Sequence, residues 1–258
     1  MNLILYQIIA VSVTTWKESI RDKGIYTLIL SGMFMLLLSQ MLGGMAVINS
    51  TRILQSMGMW VLGLWGLVSV CYLGSGFINA IHEKSILMLL CRPVNRSAII
   101  LGRYLGIFFT LSTIALSLFC TWVLFLGVNS ITITLSHVYA GLFIYFEWLL
   151  LAGISLLFAS FTNVILHNLF VTMFLIFGHL SRDLYIFSEN TDHLLLKWTL
   201  KIIYYCLPNL ELINFRSAVI YSSTVSKEVI FNGSIMFLLW TSVFLFGACL
   251  IFHTRKLS

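Results

Sequence analysis

Glu147 stands alone in the run "GLFIYFEWLLLAGISLLF", Gly141 to Phe158. An ionisable side chain deep in hydrocarbon costs about 3 kcal/mol on insertion scales, so such a glutamate is expected to face a bundle interior or an aqueous cavity. There it could meet a cationic substrate or carry a proton. Beside Tyr145, Phe146 and Trp148 it could equally stay neutral and hydrogen-bonded, or shift to the membrane interface. The histidines offer less. His167 and His179 are twelve residues apart, which is not ligand spacing, and His137 and His193 fall in predicted outer positions with no cluster around them. Asn163 and His167, at i and i+4, suit the capped start of a helix. No GxxxxGK[ST] loop, HExxH pair, Gly-x-Ser-x-Gly elbow or close pair of intramembrane carboxylates occurs, so no ATP-hydrolysing motor is expected in this sequence.

A second concentration of chemistry is "HEKSILMLLCRPVNRSAIILGR", His82 to Arg103, where basic residues, an acid and a proline interrupt long apolar stretches. Glu83 to Cys91 can continue as a helix with Ile86, Leu87, Leu89 and Leu90 apolar. Pro93 should end it, because the residue before proline is pushed out of the helical region. Asn95 or Ser97 can then cap the next helix, leaving Arg96 and Arg103 near its start. A loop that merely obeys the positive-inside rule would explain the basic residues, but not the acid, apolar helix and proline together.

The elements that must carry these residues follow from composition. The chain has 258 residues, 60% apolar and 9% charged, against roughly 25% charged in soluble domains. About 20 apolar residues cross a hydrocarbon core about 30 Å thick. Six runs of that order occur, at 25–45, 57–81, 98–128, 137–161, 164–180 and 229–252. They are continuous rather than alternating, which predicts an all-α integral membrane protein of one domain, 1–258, and not a barrel. In the second run Gly63, Gly66, Gly74 and Gly76 give small surfaces for close helix approach.

An even number of spans puts both termini on one side. With that side cytoplasmic, the inside carries Lys17, Arg21, Lys23, Lys84, Arg92, Arg96, Arg103, Arg255 and Lys256 against Glu18, Asp22 and Glu83. The outside carries Arg52, Arg182, Lys197, Lys201, Arg216 and Lys227 against five acids. The net charge of +6 is therefore concentrated inside, which reads as membrane orientation rather than nucleic-acid binding. The five cysteines are scattered, without CxxC, and read as small apolar residues with no disulfide or metal set. The N-terminus lacks the charge and cleavage pattern of a signal peptide.

Two segments lie outside the spans. In residues 1–24, Leu5, Ile9, Val13, Trp16 and Ile20 recur at helical spacing, with Gln7, Thr14, Glu18 and Arg21 opposite. This predicts an amphipathic helix at the membrane surface, with Trp16 at headgroup level and Lys17, Arg21 and Lys23 facing anionic lipid or a partner, and a bend at Gly24. The outer segment 181–228 is broken by Pro208 and Asn209 into apolar pieces too short to span. A re-entrant or interfacial helical hairpin is expected there, with Trp198, Tyr204 and Tyr205 at an interface.

The stretch "EKSILMLLCRPVNRSAIILGR" resembles a segment of ABC-2 type transporter permeases, especially the branch of the nitrous oxide reductase maturation permease. The matching positions are Glu83, Ser85, Leu87, Leu89, Leu90, Arg92, Pro93, Val94, Arg96, Gly102 and Arg103; Lys84 stands where the family often has glycine. "WKESIRDKG", containing Trp16, Lys17, Glu18 and Arg21, is similar to the family's entry helix, and "LPNLELINFR" to its late outer segment.

The resemblance implies a six-span permease that works as a pair, a homodimer or heterodimer, each copy docked on a separate cytoplasmic ATPase that binds ATP and Mg. Residues 82–97 would then form the cytoplasmic coupling helix and turn. The function implied is transport, mainly export in the family, of an unidentified substrate across a bacterial inner membrane, with no cofactor held by this chain and membrane lipids around it; the apolar and aromatic walls of the spans suggest a lipidic or hydrophobic cargo. Two readings from other classes stand beside it: an intramembrane enzyme using Glu147, and a membrane assembly protein without transport.

Overall fold

The computed structural model describes residues 2–45, 49–82, 95–191, 193–221 and 226–254. Among these, every regular element is helical: α1 (Asn2–Arg21), α2 (Lys23–Gly44), α3 (Ser50–His82), α4 (Arg96–Val128), α5 (Leu135–Ala159), α6 (Val164–Glu189), α7 (Leu194–Cys206), a 3-10 turn (Leu210–Ile213), α8 (Arg216–Ile220) and α9 (Lys227–Thr254). Six of them, α2, α3, α4, α5, α6 and α9, are long and apolar enough to cross a membrane. That is the makeup of an integral membrane protein, because a helix satisfies its own backbone groups where no water can.

Local chemistry sets the helix starts. α2 begins at Asp22, whose Oδ1 accepts from Gly24 N at 2.9 Å, so the bend falls at the aspartate rather than at Gly24. Asp22 Oδ2 also accepts from the Tyr72 hydroxyl at 2.6 Å, which ties the α1–α2 corner to α3. Asn163 caps α6 by accepting from Leu166 N at 3.0 Å. α6 does not stop near residue 180. Its polar run "SRDLYIFSE" contains neither proline nor glycine and continues the helix to Glu189, where Lys197 and Lys201 of α7 reach that carboxylate at 3.4 and 2.8 Å.

α5 is the axis of the bundle. Of its most apolar stretch 72% is buried, against 44% or less for the other spans. Trp148, Leu150, Leu151, Ile154 and Leu156 are fully enclosed. Glycines on α3 make room for large rings: a Cβ at Gly66 would collide with the Trp148 indole, and one at Gly58 with that of Trp122. Close approach of this kind supplies the dispersion contacts that hold helices together when lipid and side chain are equally apolar.

The two ends of the bundle differ. At one, Val11, Ser12 and Thr15 of α1 lie on Gly102 and Gly106 of α4, while Leu5, Ile9 and Val13 remain exposed. At the other, the stretch from Leu207 to Tyr221 packs among α3, α5, α6 and α9. Leu210, Ile213 and Val219 are buried, Leu210 rests on Gly178, Ile213 on Gly233, and Phe215 meets Phe143 edge-on at 4.4 Å.

Candidate functional site

Glu147 projects from the middle of α5, at 3% exposure, and it is not alone. Arg216, at the start of α8 and 6% exposed, enters from the 207–221 stretch. Its Nη2 donates to Glu147 Oε2 at 3.0 Å. Its Nη1 lies 3.1 Å from His179 Nε2 on α6. The guanidinium carbon sits 5.2 Å over the Trp60 ring of α3, and a Cβ at Gly63 would collide with Nη2. Three helices, α3, α5 and α6, thus converge on a cation carried by a fourth. The Arg216 Nε has no hydrogen-bond partner among the described residues.

The hydrogen bonds specify the imidazole. His179 Nδ1 is 3.3 Å from the carbonyl of Leu175, one turn back on its own helix. A carbonyl only accepts, so Nδ1 carries the proton and Nε2 offers its lone pair to the Arg216 N–H. Glu147 Oε1 is 3.6 Å from that same Nε2. One negative charge, one positive charge and a neutral imidazole therefore share the site, with the charges cancelled. Removing charged groups from water costs several kcal/mol per ion, and only close pairing with further hydrogen bonds repays it. The ion pair between Glu147 and Arg216 ties the 207–221 stretch to α5.

A second polar cluster joins α3, α5 and α6. His167, fully buried, has Nε2 at 2.8 Å from Ser155 Oγ and Nδ1 at 2.9 Å from Asn168 Oδ1. Ser75 donates to the same Asn168 oxygen at 3.2 Å. Gly74 faces Ser155 and His167, where any Cβ would displace them. No group of three or more His, Cys, Asp or Glu suited to a metal ion occurs among the described residues. Between α4 and α5 runs a groove of about 450 Å³, lined by Leu116, Phe119, Val123 and Leu142 together with Ser112 and Tyr145.

Of the coupling residues expected from sequence, Glu83, Ser85, Leu87, Leu89, Leu90, Arg92 and Pro93 lie outside the described residues. The flanking ones are engaged with the bundle. Arg103 Nη1 donates to Thr15 Oγ1 at 3.2 Å and to Glu18 Oε2 at 3.3 Å, and its guanidinium lies 5.4 Å over Phe77. Arg96 donates to the carbonyl of His253 at 2.8 Å, satisfying a backbone acceptor in the last turn of α9. Asn95 N donates to Gln7 Oε1 at 3.3 Å. On α1, Trp16 lies 6.2 Å from Phe109, and Lys17 and Arg21 are exposed.

The sequence marks out Glu147 by its apolar context and places Arg216 only among the charges of the outer side. Arg216 is instead buried, because a carboxylate inside the bundle needs a cation and this arginine sits in the apolar stretch "LINFRSAVI". That context was the available signal. Trp60 gave none. Set against known families and curated proteins, the chain matches no family model and no curated protein.

Proposed function

We propose that this chain is the transmembrane permease subunit of an ABC transporter of the ABC-2 type, driven by a separate cytoplasmic ATPase. The observation that carries this reading is the mechanical continuity at one end of the bundle. The 83–94 stretch joins α3 to α4, and the residues that follow it are tied to three other helices: Asn95 to α1 through Gln7, Arg96 to the end of α9, and Arg103 to Glu18 of α1 and Phe77 of α3. A push on that stretch is passed to α1, α3, α4 and α9 together. A coupling helix requires such a linkage.

Both termini are cytoplasmic in this reading, and the membrane is a bacterial inner membrane. α1 is the interfacial entry helix, with exposed Leu5, Ile9 and Val13 toward lipid. The segment from Leu194 to Tyr221 is the outer hairpin, and its last part dips into the bundle where Arg216 meets Glu147. Two copies enclose the path, and ATP with Mg binds in the partner ATPase. The cargo is lipidic or hydrophobic and is exported. The apolar groove between α4 and α5 agrees with such a cargo.

The test is co-expression with the neighbouring genes and reconstitution with any ATPase subunit they supply. Charge reversal by Glu83→Lys or Arg92→Glu should abolish permease-stimulated ATP hydrolysis while membrane insertion stays normal. Unchanged stimulation in both variants would refute the coupling role.

A further inference from the structure

We propose that His179 is a proton-binding site, and that a proton there displaces Arg216 and releases the 207–221 stretch from the bundle. The one basic lone pair left on this imidazole is on Nε2, because Nδ1 already donates to the Leu175 carbonyl. That lone pair is occupied by the Arg216 Nη1–H at 3.1 Å. A proton and the guanidinium therefore compete for a single site. A proton arriving from the outer aqueous phase forms an Nε2–H bond, turns an acceptor into a donor and sets N–H against N–H. Arg216 must leave.

The site is built for this exchange. Glu147 Oε1 lies 3.6 Å from Nε2, so the imidazolium can replace the guanidinium as counter-ion and the carboxylate stays compensated. If both cations stayed, the buried site would hold a net positive charge with a single carboxylate, which is costly. Arg216 can move because it heads a helix of only five residues, Arg216–Ile220, on an irregular stretch. Its Nε has no hydrogen bond to lose among the described residues.

The groups around His179 are few. From α5 it faces Glu147, and from α8 it faces Arg216, while α3 contributes the uncharged Trp60 behind the guanidinium. Arg182 and Asp183 follow on its own helix. Lys197 and Lys201 of α7 are drawn to Glu189, and Glu211 of the 3-10 turn holds Asn214 at 3.0 Å. The direction follows from linkage: the released state binds a proton that the latched state excludes, so release is favoured as pH falls.

The use of this latch as an outer gate rests on the permease reading, whereas the competition between proton and arginine does not. The experiment is therefore made on the full chain in lipid nanodiscs without any ATPase. Hydrogen exchange of peptides covering 207–221 is followed from pH 8 to pH 5 and corrected for intrinsic exchange. The opening equilibrium of wild type should rise as the pH falls across this range. His179→Gln should flatten that rise, and Glu211→Gln should keep it. Arg216→Gln should leave the stretch open at every pH. A wild-type profile independent of pH overturns the proposal even if no variant folds, and so does an undiminished slope in His179→Gln.

Discussion

Replacing Glu147 by glutamine removes the carboxylate charge while keeping a side chain of nearly the same size. Arg216 then stays buried, with a neutral amide and a neutral imidazole for company. Breaking a buried pair from one side costs about 3–5 kcal/mol, because the surviving charge is uncompensated. The glutamine carbonyl can still accept from Nη2 and recover about 1–2 kcal/mol of that, so the expected loss is about 1–4 kcal/mol. Arg216→Met removes the other charge and keeps an apolar stem over Trp60. The double variant leaves no buried charge and lets the glutamine amide donate to His179 Nε2, so it should fall within about 1 kcal/mol of wild type. The coupling energy from this cycle should exceed about 2 kcal/mol. Reversible denaturant unfolding in micelles, followed by tryptophan fluorescence, measures all four proteins. If Glu147→Gln costs less than about 1 kcal/mol and the two changes are additive, the ion pair is solvated or absent and the reasoning fails.

Gly66→Val should destabilise the bundle by about 1–3 kcal/mol, because its side chain meets the enclosed Trp148 indole; Gly76→Ala, with nothing within 4 Å, should be near neutral in the same unfolding assay. Arg103→Gln should cost under about 1 kcal/mol of global stability, since Glu18 is 70% exposed. It should nonetheless raise hydrogen exchange selectively in α1, and an equal rise throughout the bundle would contradict its role as the tie between α1 and α4.

The spans were legible because each is a continuous apolar run, which in a chain with so few charges has one economical reading. The polar tail of α6 was not. Its charges suggested a loop, but nothing in "SRDLYIFSE" breaks a helix, and the partners that support it lie on α7. The corner at Asp22 was assigned to the nearby glycine because the cap forms through a side-chain bond that spacing does not reveal. Glu147 is visible as a functional candidate because it stands alone in an apolar run. Its partners were not, since pairing between residues 69 positions apart is decided by how the 207–221 stretch enters the bundle. His167 shows the same limit: its spacing to Asn163 suggested a helix start, while its bonds to Ser155 and Asn168 depend on the meeting of three helices at Gly74.

The permease reading stands or falls on an ATPase that binds this chain. Expressed with its neighbouring genes and purified from detergent-solubilised membranes by a tag on this chain alone, it should bring down a phosphate-loop ATPase in equal molar amount, within a particle containing two copies of each. Recovery of this chain with no ATPase, under conditions where the ATPase is present in the membranes, would contradict the account.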